Sequence, residues 1–227
     1  MGEDEDITAA NAAVVDDVVD AVFAISCRSL PVDHAFALSQ AIEATLPWFA
    51  DEPRAGLHLV HGASSGSGWM RPEAPDALLY LSQRAKLVLR LPGHRLRDAA
   101  ALVGRTMQVA GCPLRVDGLA MRPLSRNANL FSRGVILAAT GNETDFLAAA
   151  DEALATLGIR PGTMLCGRTT AIATPERTHQ ARSLMLAGLA QEQSLALQQQ
   201  GLGAGRKLGC GLFIPHKDIG DLRSRSE

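Results

Sequence analysis

The segment Gly201-Leu-Gly203-Ala-Gly205-Arg206-Lys207-Leu-Gly209-Cys-Gly211 runs directly into Leu212-Phe213-Ile214-Pro215. Glycines at alternate positions strip one face of the backbone of side chains, so a flat or charged partner can approach the amides. Arg206 and Lys207 stand at the tip, and bare N–H groups beside two cations suit a phosphate chain. Upstream, 189–200 is rich in helix formers, with Leu189, Leu195 and Leu197 as its apolar members. Downstream, 212–214 reads as a short strand. The glycines therefore lead out of a helix and into a strand, the reverse of a dinucleotide-binding turn. A Walker loop fails as well, because Leu208 follows Lys207 where Ser or Thr is required. A plain C-cap and turn is the simpler reading, but Gly-x-Gly-x5-Gly-x-Gly over 201, 203, 209 and 211 exceeds what a cap needs.

Working back from this segment, one order of elements occurs twice. In the first half, 18–27 reads as a strand, and Asp33 is a candidate N-cap for a helix that ends before Pro47. Strands follow at 57–61 and 86–91, then a short helix over 95–103 and a strand over 107–116 that turns as a hairpin near Gly111. Between 62 and 68 lies a Gly/Ser-rich loop. In the second half, 130–138 is a strand and 143–157 a helix with Leu147, Ala150, Leu154 and Leu157 at helical spacing and Gly158 as its stop. A strand begins at 164, residues 168–179 form a loop or hairpin, and 183–189 is a strand; the Gln-rich helix, the glycines and 212–214 complete the unit. Both halves read βαββαβ, which predicts an α+β protein of two tandem ferredoxin-like (RRM-like) domains. The boundaries expected are an acidic disordered tail at 1–13, a first domain at 14–122 and a second at 123–227 that carries the glycine segment 201–211.

Composition narrows the class. The chain has 227 residues and is 47% hydrophobic, enough for two cores. It has no run of eighteen apolar residues and no secretory pattern at its acidic start, so the expectation is a cytoplasmic protein without a membrane partner. Cys27, Cys112, Cys166 and Cys210 form no C-x-x-C pair and read as reduced, mostly buried thiols. The net charge of −2 hides an asymmetry: residues 1–27 carry −7, while 84–133 carry +8. Nineteen of the 22 basic residues are Arg, the side chain suited to bidentate phosphate contact. The basic stretch reads either as an RNA-facing patch or as a solvated face.

The glycine segment together with 29–46 (Ser-Leu-Pro-Val-Asp-His-Ala-Phe-Ala-Leu-Ser-Gln-Ala-Ile-Glu-Ala-Thr-Leu) resembles the CRISPR-associated endoribonucleases of the repeat-associated mysterious protein superfamily, in their type I variant. The resemblance extends over most of the chain in element order. It implies metal-independent cleavage of precursor crRNA, in which the 2′-hydroxyl attacks the scissile phosphate and leaves a 2′,3′-cyclic phosphate and a 5′-hydroxyl. It also implies a histidine on the first helix facing the glycines, a position held here by His34. Gly201, Gly203, Gly205, Arg206, Lys207, Gly209 and Gly211 would contact the RNA. No metal and no cofactor are implied. The partners implied are the CRISPR repeat RNA or crRNA stem-loop and other effector-complex subunits. The alternative within the same fold is a non-catalytic subunit that holds the crRNA 3′ hairpin. A neutral imidazole at a helix N-terminus suits a general base. The usual supporting Tyr or Lys is missing near His34: Tyr80 is distant, and the first lysine is Lys86.

Among the other histidines, His58 and His61 would face opposite sides of a strand, which disfavours a shared metal. His61, beside the Gly/Ser loop, is the second candidate for general base. His216 follows the last strand and is a candidate to face RNA.

Overall fold

The nine residues of β1 (Val18–Ser26) place Ala21, Phe23 and Ile25 in the interior, and everything in the first half is arranged around them. In this computed structural model, which describes residues 18–62, 77–138 and 142–216, β2 (Ser29–Pro31) follows, then α1 (Ala35–Thr45), α2 (Trp48–Asp51), β3 (Gly56–His58), β4 (Leu78–Tyr80) and β5 (Lys86–Pro92). A broken helical stretch over 93–102 contains α3 (Leu96–Ala99) and leads to the hairpin β6 (Thr106–Val109) and β7 (Cys112–Pro123). That hairpin turns through Ala110 and Gly111, both at positive φ, the two-residue geometry that matches strand twist. The second half comprises β8 (Leu130–Val135), α4 (Glu143–Thr156), β9 (Thr163–Ala173), β10 (Thr178–Ala187), α5 (Gln191–Gln200) and β11 (Ile214–Pro215).

Both sheets are antiparallel. The first has the order β3-β5-β1-β7-β6 and the second β11-β8-β10-β9. In each, the unit's first strand is central and flanked by its third and fourth, the ferredoxin-like order. The chain is thus an α+β protein of two such units, as the element order predicts. A small ribbon, β2-β4, stands apart from both sheets and had no sequence signal, each strand being three residues long.

Helical spacing selects the packed faces. α1 buries Ala35, Leu38, Ser39 and Ile42, and α4 buries Phe146, Ala150 and Leu154. Asn142 caps α4 by accepting from the Asp145 amide at 2.9 Å. Each fully buried Leu or Phe contributes about 1.5–3 kcal/mol. α5 is different, because its inner face sets the polar Ser194 and Gln198 beside the core residue Leu197. Ser194 donates to the Asn127 carbonyl at 2.7 Å, and Gln198 donates to the Ser125 carbonyl at 2.5 Å. The helix is therefore tied to the segment between β7 and β8 by these bonds as well as packed through Leu197.

Of the loop and the hairpin expected for residues 168–179, the hairpin is found, with β9 reaching Ala173 and β10 starting at Thr178, because β-branched and small residues there extend the ladder. Other expectations need correction. Asp33 does not cap α1. His34 occupies the cap position, without a side-chain cap bond, while Asp33 accepts from the Ala173 amide of the second unit at 3.0 Å. Only Cys210 is buried; Cys27, Cys112 and Cys166 are half-buried, and all four are free thiols. The acidic tail at 1–13 and residues 63–68 of the Gly/Ser loop lie outside the described residues. Among the described residues, no helix is long and apolar enough to cross a membrane.

Candidate nucleic-acid interface

The glycine segment folds back on its own protein. Gly201, Gly203, Gly205, Gly209 and Gly211 all have positive φ. Two of them decide the path. A Cβ at Gly203 would stand 2.2 Å from the Ile136 carbonyl oxygen, and one at Gly211 would stand 2.3 Å from that of Leu202. Both positions therefore require glycine for conformation and for space. The amides of Leu202, Ala204, Cys210 and Gly211 donate to Gly211, Ile136, Gly205 and Gly134 carbonyls at 2.7–3.0 Å. These N–H groups are spent inside the fold and are not bare. Part of the segment is thus held by the protein's own carbonyls, in β8 and the stretch after it among others, while Gly209 also lines the cleft described below.

Arg206 and Lys207 likewise point inward. Arg206 donates to the Gln200 carbonyl at 2.6 Å and to the Arg54 carbonyl at 2.8 Å. Burial, with the charges of Arg90 and Arg54, brings its guanidinium down to about 10. Lys207 donates to the Glu52 and Ala55 carbonyls at 2.5 and 2.8 Å and sits over the Phe49 ring at 4.6 Å. Burial, with the charge of Arg206, lowers its ammonium to about 8. In this structure both cations clamp the second unit onto residues 52–55 of the first.

A third anchor lies deeper. Arg90 is fully buried on β5, directly opposite Asp20 of β1, which also faces Arg122 of β7. Arg90 donates to Asp20 through Nε (2.8 Å) and Nη2 (3.3 Å), and through Nη1 to the carbonyls of Phe213 (2.7 Å) and Gln198 (3.2 Å). Arg122 adds a 2.9 Å bond to Asp20. Burial alone would raise the Asp20 carboxyl, but the neighbouring His58 and Arg90 outweigh it and hold it well below the usual carboxylate range. Burial lowers the His58 imidazole, which Asp20 only partly offsets.

His34, the first candidate for general base, is 1% exposed. Its Nδ1 donates to the Pro31 carbonyl at 2.8 Å, and its Nε2 accepts from the Val60 amide at 3.2 Å. Both ring nitrogens are engaged by backbone, in a neutral tautomer, behind the surface. Proton exchange between His34 and a substrate would first require one of these two bonds to open.

The open surface lies elsewhere, between the two sheets. Two adjoining cavities, each of about 320 Å³, share Leu59, His61, Phe131, Arg133 and Gly209. One adds Arg168, Thr170 and Ser183 from the β9–β10 hairpin; the other adds His58, Arg84, Lys86 and Arg122 from the first unit. Among the described residues, five cations and two imidazoles converge there, and no carboxylate lines either cavity. A low-dielectric cleft of one sign concentrates anions such as a phosphodiester chain. The strand alternation that set His58 and His61 apart does not apply, because β3 ends at His58 and both residues line the same cavity. Of the basic stretch, Arg84, Lys86, Arg122 and Arg133 reach the cleft, while Arg90 is internal. Arg168 is the residue that sequence reasoning missed, since it lay in a stretch read only as a polar loop or hairpin.

Residues 19–218 match the family model described as Cas6 Crispr. The chain belongs to the Cas6 family. It is 32% identical, over 87% of its length and 81% of the relative's, to a CRISPR-associated endonuclease Cas6 of Myxococcus xanthus (strain DK1622). Among solved structures, a CRISPR-associated protein Cas6 shares its fold at a TM-score of 0.63 with 12% identity, over 88% of this chain and all of that one. A Cas6-related protein from Pyrococcus furiosus does so at 0.59 with 9% identity, over 88% of this chain and 99% of that one. For this Cas6-family chain the tandem fold is therefore established on two grounds, its own topology and its likeness to these structures.

Proposed function

We propose that the chain is an endoribonuclease that binds CRISPR repeat RNA and cuts precursor crRNA without a metal. The single observation that carries this reading is the cationic cleft between the two sheets, lined by no carboxylate among the described residues, with the half-buried His61 on both of its cavities. The 32% identity to an endonuclease of the same family supports an enzyme over a passive binder.

The chemistry follows from the cleft's composition. Arg84, Lys86, Arg133 and Arg168 hold phosphates on either side of the scissile one. His61 takes the proton of the 2′-hydroxyl as its oxygen attacks phosphorus. The P–O5′ bond breaks, the imidazolium returns a proton to the leaving 5′-oxygen, and the products are a 2′,3′-cyclic phosphate and a 5′-hydroxyl. Guanidinium groups facing the phosphorane stabilise its added negative charge.

The test is cleavage of labelled repeat RNA in EDTA. His61→Ala is expected to slow cutting about 100-fold or more with little loss of binding, and a 2′-deoxy sugar at the cut site is expected to stop it. Cutting that requires a divalent ion, or that survives the 2′-deoxy sugar, would refute the mechanism. Tight binding with no cutting by the unaltered chain would assign it instead as the subunit that holds the crRNA 3′ hairpin.

A further inference from the structure

Resting on the reading that the cleft holds repeat RNA, we propose that the cavity beside the β9–β10 hairpin takes one unstacked nucleobase of that RNA, while the phosphates run along the cations at its mouth. The two cavities are equal in size and unlike in lining. One is flanked by Arg84, Lys86 and Arg122. The other has an apolar floor of Leu59, Ile172, Ala181 and Cys210, the last three at most 3% exposed. Burial pushes the Cys210 thiol up to about 12, so this floor stays uncharged at neutral pH. Arg133 and Arg168, which line the same cavity, are exposed. Charge therefore stands at the mouth, and apolar surface lies beneath it.

Most of this floor is the outer face of the second sheet. Thr170 of β9 lies directly opposite Ala181 of β10, and Arg168 and Ile172 share its face by strand alternation. Small residues keep the floor low. Gly134 is not at positive φ, so no conformation demands glycine there. A Cβ on it would instead crowd its neighbours, 3.0 Å from that of Ala181 and 3.6 Å from Cys210 Sγ. A phosphate gains nothing from an apolar floor and loses its water. A base has apolar faces to bury and polar edges for the Thr170 and Ser183 hydroxyls, each able to donate or accept. Phe131, on the wall, offers a ring for stacking. The cavity of about 320 Å³ stands at the small end of ligand sites, roughly 300–1,000 Å³. It admits one nucleotide and not a paired duplex, so the base has to leave its stack.

The experiment measures binding alone, with repeat RNA kept intact by a 2′-deoxy sugar at the cut site. Each nucleotide near the cut is replaced in turn by an abasic one, which removes the base and keeps the phosphate. At one position the full chain is expected to lose about 10- to 100-fold in affinity at an unchanged salt slope, because no phosphate contact is lost. In the Thr170→Leu and Ser183→Val variants, whose added carbon fills the cavity and whose hydroxyl is gone, the same abasic RNA should bind within about twofold of the intact RNA, again at the wild-type salt slope. No abasic position costing more than about twofold in the full chain overturns the inference. So does an abasic penalty that stays whole in both folded variants, which places the base elsewhere, and so does a salt slope that falls with either substitution, which makes the cavity a phosphate site. If Thr170→Leu does not fold, Ser183→Val and the scan on the unaltered chain decide. Failure to cut all-ribose RNA defeats the nuclease reading and leaves the binding scan standing; failure to bind repeat RNA at all defeats both.

Discussion

Replacing Arg90 with methionine removes a fully buried side chain that bonds to both units. Four hydrogen bonds go: two to the Asp20 carboxylate and one each to the Phe213 and Gln198 carbonyls. Methionine fills similar space, so the cavity penalty is small. Asp20 remains buried and keeps only part of its compensation, from His58 and from Arg122, whose side chain is 57% exposed. Breaking a buried pair by removing one partner costs about 3–5 kcal/mol, and two orphaned carbonyls add about 1 kcal/mol or more each. Retained Arg122 offsets some of this, so the expected loss is about 4 kcal/mol, a large share of the roughly 5–15 kcal/mol that holds a domain together. Urea denaturation of the full chain measures it, and amide exchange locates it: protection should fall first around the end of α5 and β11.

The same pair sets an acid limit. Asp20 is held below its ordinary value of 3.8, so its contribution is fully present above about pH 4 and is lost as pH falls from there through the folded-state value. Asp20→Asn should flatten that part of the stability profile. A stability within about 1 kcal/mol of wild type for Arg90→Met, with unchanged exchange over 198–213, would refute the reasoning.

Lys207→Met should destabilise by about 1–3 kcal/mol while leaving the salt dependence of RNA binding unaltered, since its ammonium is occupied by Glu52, Ala55 and Phe49; a binding titration at two salt concentrations decides this. Arg133→Ala and Arg168→Ala should each weaken RNA binding and reduce the salt slope by about 1, with little change in melting temperature. Gly203→Ala should cost about 2–4 kcal/mol by thermal unfolding, because its Cβ would collide with the Ile136 carbonyl.

The fold was readable because its signals are local. Helical spacing in 143–157, the Gly158 stop and the strand character of 18–26 and 86–92 each follow from a few neighbouring residues. The β2-β4 ribbon was not readable, because three-residue strands carry no period. The site was only half readable. Glycine, Arg and Lys at 201–211 announced a special backbone, but not whether RNA or the protein itself occupies it. The Ile136 carbonyl and residues 52–55 had no way of appearing beside that segment in the sequence. A histidine in the family's expected place likewise says nothing of its exposure.

By itself, then, the amino-acid order determined the two βαββαβ units, their apolar faces, and the places where only glycine can turn the chain, because propensity, period and backbone sterics act over a few residues. The packing of one unit on the other decided the rest. It put Arg90, Arg206 and Lys207 inside as clamps, hid His34 behind Val60, and gathered Arg84, Lys86, Arg133, Arg168 and His61 from distant segments into one cleft. Charge and acid–base function depend on burial and on partners far away in sequence, and those exist only once both sheets have met.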